Sequence, residues 1–197
     1  MAHAVSMSGR PLEKPRRATY ADLIAVPDPL VAEIVDGELI TSPRPASLHA
    51  RSSSRLTINL GGPFDCGRDG PGGWVILDEP ELHLGPEPDV LVPDLAGWRR
   101  ERMPELPDTV FFTMAPNWVC EVLSPSTEKV DRAGKMPIYA REKIAHLWLV
   151  NPILQTLEVF RLESQGWLLA TVHQGNQKVR AEPFDAIELD LAGLWER

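Results

Sequence analysis

Residues 118–150 read WVCEVLSPSTEKVDRAGKMPIYAREKIAHLWLV, and their changes of rhythm decide the fold. Trp118 to Leu123 is an apolar, strand-forming run broken by one carboxylate, Glu121. Ser124-Pro125-Ser126-Thr127 supplies capping hydroxyls, and a helix is expected over Glu128 to Glu142. His146 to Val150 returns to strand composition. Strand, helix and strand in that order form a crossover unit, which lays the helix on the sheet and is right-handed when its strands are parallel.

Upstream, residues 74–77 (WVIL), 81–84 (ELHL) and 90–98 (VLVPDLAGW) carry the same strand rhythm. They predict a mixed sheet of about four or five strands holding residues 74–79, 89–97, 118–123 and 146–151, with helices near 47–60 and 128–142 packed on it. The first of those helices runs from Ser47 to Leu60, with Leu48, Leu56 and Leu60 as its apolar stripe and Gly61-Gly62-Pro63 as its stop. Thr19 and Asp22 form a capping pair for a short helix from Tyr20, and Asp36-Gly37 marks a hairpin within Val31 to Thr41. Downstream, Thr156 to Leu162 and Gly166 to His173 form an antiparallel hairpin that closes the domain. The fold class is therefore α/β of the mixed, α+β kind: a central mixed sheet flanked by helices, with a C-terminal antiparallel hairpin.

A chain of 197 residues with 43% hydrophobic content supports one core, and its 19 prolines punctuate many short elements rather than forming one tract. Residues 18–197 are taken as a single domain and residues 1–17 as a flexible basic arm. The arm holds Arg10, Lys14, Arg16 and Arg17 against Glu13, a balance of +3, which leaves −11 for the body out of a total of −8. Such a body does not grip nucleic acid through bulk positive charge. No stretch reaches the length and apolarity of a membrane span, and the N-terminal residues lack a secretory pattern, so a cytoplasmic protein without membrane partners is expected. Cys66 and Cys120 are read as free thiols.

Phosphate-loop, dinucleotide, serine-hydrolase and zincin motifs are all absent, and the five histidines lack metal-ligand spacing. What remains is carboxylates inside apolar strands, where an ionised group is costly unless paired, hydrogen-bonded or metal-bound. Asp94 lies in Val-Leu-Val-Pro-Asp-Leu-Ala (90–96) and Glu121 in Trp-Val-Cys-Glu-Val-Leu (118–123). Either they meet at a sheet edge and hold an oxygen-preferring ion such as Mg²⁺ or Mn²⁺, or they are strand-end acids satisfied by backbone N–H groups or arginine. Asp131 and Lys135, spaced i, i+4, allow an exposed salt bridge as well as a site role. Cys120, adjacent to Glu121, points to the other face and is read as core. His49, near the start of a helix, is read as a polar surface residue.

The ordered set Glu33-Ile-Val-Asp-Gly-Glu-Leu, His49, Val-Pro-Asp-Leu-Ala (92–96), Val-Cys-Glu-Val-Leu-Ser-Pro-Ser-Thr (119–127), Asp131, Lys135, Tyr139 and Leu-Trp-Leu-Val-Asn-Pro (147–152) resembles the Uma-type restriction endonuclease family, a branch of the PD-(D/E)xK nuclease superfamily. The resemblance covers roughly residues 18–162 and implies a restriction-endonuclease-like core. It casts Pro93-Asp94 as the PD element, Glu121 as the second metal-binding acid and Glu33 as a third acid on the metal side, unless Glu33 simply flanks the turn. Asp89, also preceded by proline, rivals Asp94. The superfamily lysine two residues beyond the second acid is Leu123 here, and the resemblance points to Lys135 on the following helix as its replacement.

The implied activity is hydrolysis of phosphodiester bonds, in DNA rather than RNA, by an endonuclease using Mg²⁺ or Mn²⁺, with Asp94, Glu121 and Lys135 catalytic. Arg99, Arg100 and Arg102 are either a phosphate clamp at the site's mouth or a solvated turn paired with Glu101 and Glu105. A homodimer fits the need to cut two strands. The rival reading is a nuclease fold kept as a non-catalytic interaction module, which Leu123 favours. Lys135→Met, nearly isosteric, is expected from the sequence to leave folding nearly intact.

Overall fold

The computed structural model describes residues 16–196. Most of the basic arm, including Arg10 and Lys14, lies outside the described residues, whereas Arg16 and Arg17 lie within them. Helix α1 (Tyr20–Ile24) starts at a reciprocal capping box between Thr19 and Asp22, as the sequence predicts. Strands β1 (Leu30–Val35) and β2 (Glu38–Pro43) follow, joined by Asp36 and Gly37 with φ of 50° and 78°, the paired left-handed residues of a tight hairpin turn. Helix α2 (Ser47–Leu60) matches the predicted span and continues for one π-wound turn, Gly61–Asp65.

The remaining strands are β3 (Trp74–Asp78), β4 (Leu82–Leu84), β5 (Asp89–Leu91), β6 (Leu95–Arg99), β7 (Trp118–Val122), β8 (His146–Asn151), β9 (Thr156–Glu163), β10 (Gly166–Gln174), β11 (Lys178–Val179) and β12 (Leu189–Asp190). Between β7 and β8 runs helix α3, residues 128–141, α-helical over Glu128–Val130 and Met136–Arg141 and π-wound over Asp131–Lys135. A last turn, α4 (Ala192–Trp195), ends the described chain.

Two sheets matter for the site. The larger has six strands in the order β10-β9-β8-β7-β6-β3, mixed because β7 and β8 are parallel and the other pairs antiparallel. The smaller, β2-β1-β5-β4, is antiparallel throughout. The strand expected over 89–97 is therefore two strands in two sheets. Pro93 has no N–H to give a ladder, so β5 ends at Leu91 and the chain crosses between sheets before β6 starts at Leu95.

Alternate residues of β7 face opposite layers. Trp118, Cys120 and Val122 join Leu56 and Leu60 of α2, Trp148, Phe184 and the C-terminal Leu191, Leu194 and Trp195 in one core cluster. Val119 and Leu123 join Ile138 and Tyr139 of α3, together with Leu82, Leu84 and Leu91 of the smaller sheet, in the other. Phe184 sits 4.8 Å from both Trp74 and Trp118, ring centre to ring centre. The β9–β10 hairpin thus does not close the domain, because residues 175–196 return to complete the first core layer. Cys66 is exposed and Cys120 buried, both free. Among the described residues no helix is long and apolar enough to cross a membrane.

Candidate active site

Four elements converge beside Glu121. The side chain of Glu121 alternates onto the α3 face of β7, in the middle of the six-stranded sheet, and only 3% of it is exposed. Asp94 lies one residue before β6. Since Leu95 pairs with Cys120 and Ala96 with Val119, the next step of that antiparallel register sets Asp94 beside Glu121. The Asp94 carboxylate is held there by the Val122 N–H, which donates to Oδ2 at 2.7 Å, and by His49 Nε2, 3.3 Å from Oδ1. Glu33 of β1 accepts from the Val92 N–H at 2.7 Å through Oε1, at the break between the sheets.

Helix α3 contributes the cation. Lys135 Nζ lies 3.0 Å from Glu33 Oε1, 3.2 Å from Asp131 Oδ1 and 3.3 Å from Glu121 Oε2. The i, i+4 pair with Asp131 exists, but both side chains are buried, so it is not the solvated bridge that the spacing also allowed. Tyr139, one turn on, donates its hydroxyl to Glu121 Oε1. Gly134 lets the helix come this close to β1, since a Cβ there would stand 2.8 Å from Val35 Cγ1. π turns inside α-helices recur at functional sites, and this one places Asp131 and Lys135 at the same buried point.

The charges do not balance. Glu33, Asp94, Glu121 and Asp131 face one lysine and one histidine. Burial, reinforced by Asp131, Asp94 and Glu33 and only partly offset by Lys135, raises the Glu121 pKa well above the ordinary glutamate value. Asp131 is raised for the same first reason. Burial works against the Lys135 ammonium, yet the combined field of Glu121, Glu33 and Asp131 overrides it and holds the lysine charged. Burial likewise opposes protonation of His49, and the bond to Asp94 reverses the balance, raising its pKa.

This surplus of negative charge, built of carboxylate oxygens alone, suits a hard divalent cation. Among the described residues no three His, Cys, Asp or Glu side chains are arranged as a ligand cage. The donor set fits an ion of the Mg²⁺ type, which is commonly held by one or two carboxylates and completes its shell with water and substrate phosphate.

The group opens into a cleft of about 520 Å³ whose walls include Glu33, His49, Asp94, Glu121, Asp131 and Lys135. Asp89 does not join it. Its side chain, 1% exposed, accepts the Asp36 N–H at 2.6 Å and an Arg141 guanidinium N–H at 2.7 Å, so it ties the β1–β2 turn to α3. The three arginines also lie elsewhere. Asp94 and Arg99 stand at opposite ends of β6, roughly 16 Å apart at strand rise. Arg99 lies over Trp74 at 4.1 Å and Arg100 pairs with Asp65 at 2.9 Å, while Arg102 is exposed in the following turn and none lines the cleft.

His49 and Arg44, a guanidinium on the cleft wall, are the residues that sequence reasoning missed. His49 carried a signal. Leu56 and Leu60 fix the inward side of α2, and position 49 lies seven residues before Leu56, on that side; the buried stripe is His49, Ser52, Leu56 and Leu60, with Leu48 only half-buried.

A family model, Uma2, described as "Putative restriction endonuclease", matches residues 17–192. Among solved structures, the crystal structure of a protein from Anabaena variabilis described as "a putative nuclease belonging to DUF820" superposes with a TM-score of 0.70 at 22% identity, over 90% of this chain and 97% of that one. That likeness speaks to the fold. No curated protein matches the sequence.

Proposed function

The chain belongs to the Uma2 family, and from that membership and the geometry of the cleft we propose that it is a divalent-metal-dependent nuclease that hydrolyses phosphodiester bonds, in DNA rather than RNA. The observation that carries the proposal is the convergence of Asp94, Glu121 and Lys135, from a loop, a strand and a helix, on one cleft. Asp94 and Glu121 are the carboxylates that would hold the ion, with Glu33 at the next position. When bound, Mg²⁺ or Mn²⁺ supplies Lewis-acid polarisation of a phosphate and an acidified water.

The chain's own groups do the positioning. The Val122 N–H and His49 fix the Asp94 carboxylate, and the Tyr139 hydroxyl and Lys135 fix that of Glu121. Lys135 is the permanent positive charge nearest those acids, and its role is to stabilise charge that develops on the phosphate. The ion, once held, would change the sign of the field at the floor of the cleft, which lets an acidic body act on a polyanion.

Plasmid and oligonucleotide cleavage in Mg²⁺ or Mn²⁺, compared with EDTA and with Glu121→Ala, tests the reading. Cleavage that requires metal and is lost in the variant is the expected result, and equal cleavage by both proteins refutes it. A second reading, an inactive interaction module, is favoured by one observation: every oxygen of Asp94 and Glu121 already has an internal donor or cation within reach. Calorimetric titration with Mn²⁺ separates the two, since only the first predicts binding that Asp94→Asn and Glu121→Gln weaken.

A further inference from the structure

The buried carboxylates share their cleft with exposed acids and with an apolar stretch of lining. Among the described residues, Asp28 and Glu79, exposed, and Glu81, half-buried, stand at the opening against the single guanidinium of Arg44, which itself donates to the Asp28 carbonyl at 3.0 Å. The apolar part of the lining is made by Ile24 of α1, Leu30 and Val31 of β1, and Val92. Ile24 is 66% exposed. Beside it Tyr20, also partly exposed, is anchored through its hydroxyl to Glu81 Oε1 at 2.9 Å, and its ring packs edge-on against His83, 4.9 Å away.

These features decide which form of nucleic acid fits. A duplex brings one negative charge for about every 1.7 Å of its length, and proteins that hold it draw their affinity from matching cations. Among the described residues this mouth offers carboxylates instead. A cleft of about 520 Å³ also falls within the roughly 300–1,000 Å³ of small-ligand sites, room for a nucleotide or two. The affinity the site does offer is apolar contact within the cleft and, just outside its lining, the ring of Tyr20 fixed through Glu81. Only a base released from the stack can use them.

We propose that the cleft takes an unpaired strand, a single strand or a locally opened duplex, with a base lodged on the Tyr20–Ile24 shelf and the adjacent backbone directed at Asp94 and Glu121. The proposal rests on the nuclease reading and names its substrate class. The shelf supplies binding and the buried carboxylates the site of reaction, so intact duplex is a poor substrate even where its sequence is suitable.

Binding and cleavage are measured separately. Fluorescein-labelled 20-mers are prepared as single-stranded DNA, as single-stranded RNA of the same sequence, as a perfect duplex and as a duplex with a three-nucleotide bulge, and anisotropy is read in Ca²⁺. The full chain is expected to bind single-stranded DNA and the bulged duplex at least about 10-fold more tightly than the perfect duplex, and Ile24→Glu is expected to remove about that factor. RNA bound as tightly as DNA still supports the shelf and assigns it no sugar preference. Perfect duplex bound as tightly as the strand, or no binding of any strand, overturns the proposal. Cleavage in Mn²⁺ is the second readout. Duplex cut faster than strand overturns the proposal while upholding the nuclease, and strand bound through the shelf but never cut upholds the shelf while refuting the nuclease.

Discussion

Removing the ammonium of Lys135 tests the charge arrangement directly. In Lys135→Met the stem stays but three carboxylates, within 3.0–3.3 Å of Nζ in the native protein, lose their shared cation. The lysine side chain is 5% exposed and those of Glu33, Asp131 and Glu121 are 9%, 3% and 3%, so water does little to replace it. Breaking a buried ion pair by deleting one partner costs about 3–5 kcal/mol. For a domain of this size that lowers the melting temperature by roughly 6–20 °C, at about 2–4 °C per kcal/mol. The near-isosteric exchange that reads as neutral from the sequence is therefore expected to be strongly destabilising.

The deficit has a pH sign. Glu121 and Asp131 have folded pKa values raised above their unfolded ones, chiefly by burial, and the variant raises them further. A carboxyl with a raised folded pKa contributes stability that is present below the unfolded pKa and lost as pH rises through the folded value. The variant's deficit should thus be larger at pH 8 than at pH 5. Thermal melts followed by circular dichroism in EDTA measure it. Added Mn²⁺ should raise the melting temperature of Lys135→Met more than that of the native chain, and Glu121→Gln in the same background should restore part of the loss. A variant melting within about 2 °C of the native protein in EDTA at pH 8 would refute the reasoning, because one missing cation should cost several times that.

Other substitutions separate roles within the same region. Lys135→Arg keeps the charge, so it should preserve most of the fold while lowering metal-dependent cleavage about 10²-fold, read in single-turnover assays against the native enzyme. His49→Ala should lower the melting temperature less than Lys135→Met, since Asp94 keeps the Val122 N–H, and weaken Mn²⁺ binding about 10–100-fold by calorimetry, since the histidine orients a ligand. Asp89→Asn should do the reverse, costing about 1–3 kcal/mol in urea unfolding while leaving Mn²⁺ affinity unchanged, because both Asp89 oxygens serve the Asp36 N–H and Arg141. Gly134→Ala should cost about 1–3 kcal/mol and reduce cleavage together, as its methyl group meets Val35 and pushes the lysine-bearing turn away from β1.

The sequence disclosed those parts of the site whose burial conflicts with their chemistry. Glu121 is a carboxylate in an apolar strand, and nothing but a partner or an ion explains it there. The crossover around it was equally legible, because the apolar runs at 118–123 and 146–150 flank a capped, helix-length segment. Arg99, Arg100 and Arg102 show the complementary limit. Nearness in sequence to Asp94 is not nearness in space when a five-residue strand carries the chain straight away from the site. Residues 175–196 gave no clear period, since β11, β12 and α4 are each too short to show one, and their apolar side chains find partners only in the assembled sheet.

Pro93 shows why the site could not be fully drawn from its pieces. As a run of residues, 89–97 is one apolar strand; as hydrogen bonding it is two, since a ladder cannot pass the proline and the backbone turns from one sheet into the other. That break puts Asp94 at the start of β6, where its carboxylate reaches the Val122 N–H, and leaves the Val92 N–H free for Glu33. Glu33 then meets Lys135, 102 residues away, which itself reaches Glu121. Together these contacts form one connected chain across two sheets and a helix. The residue types in the cleft were readable one by one, whereas the pairing of Glu33 with a lysine from a distant helix exists only once a strand has been broken at the right place.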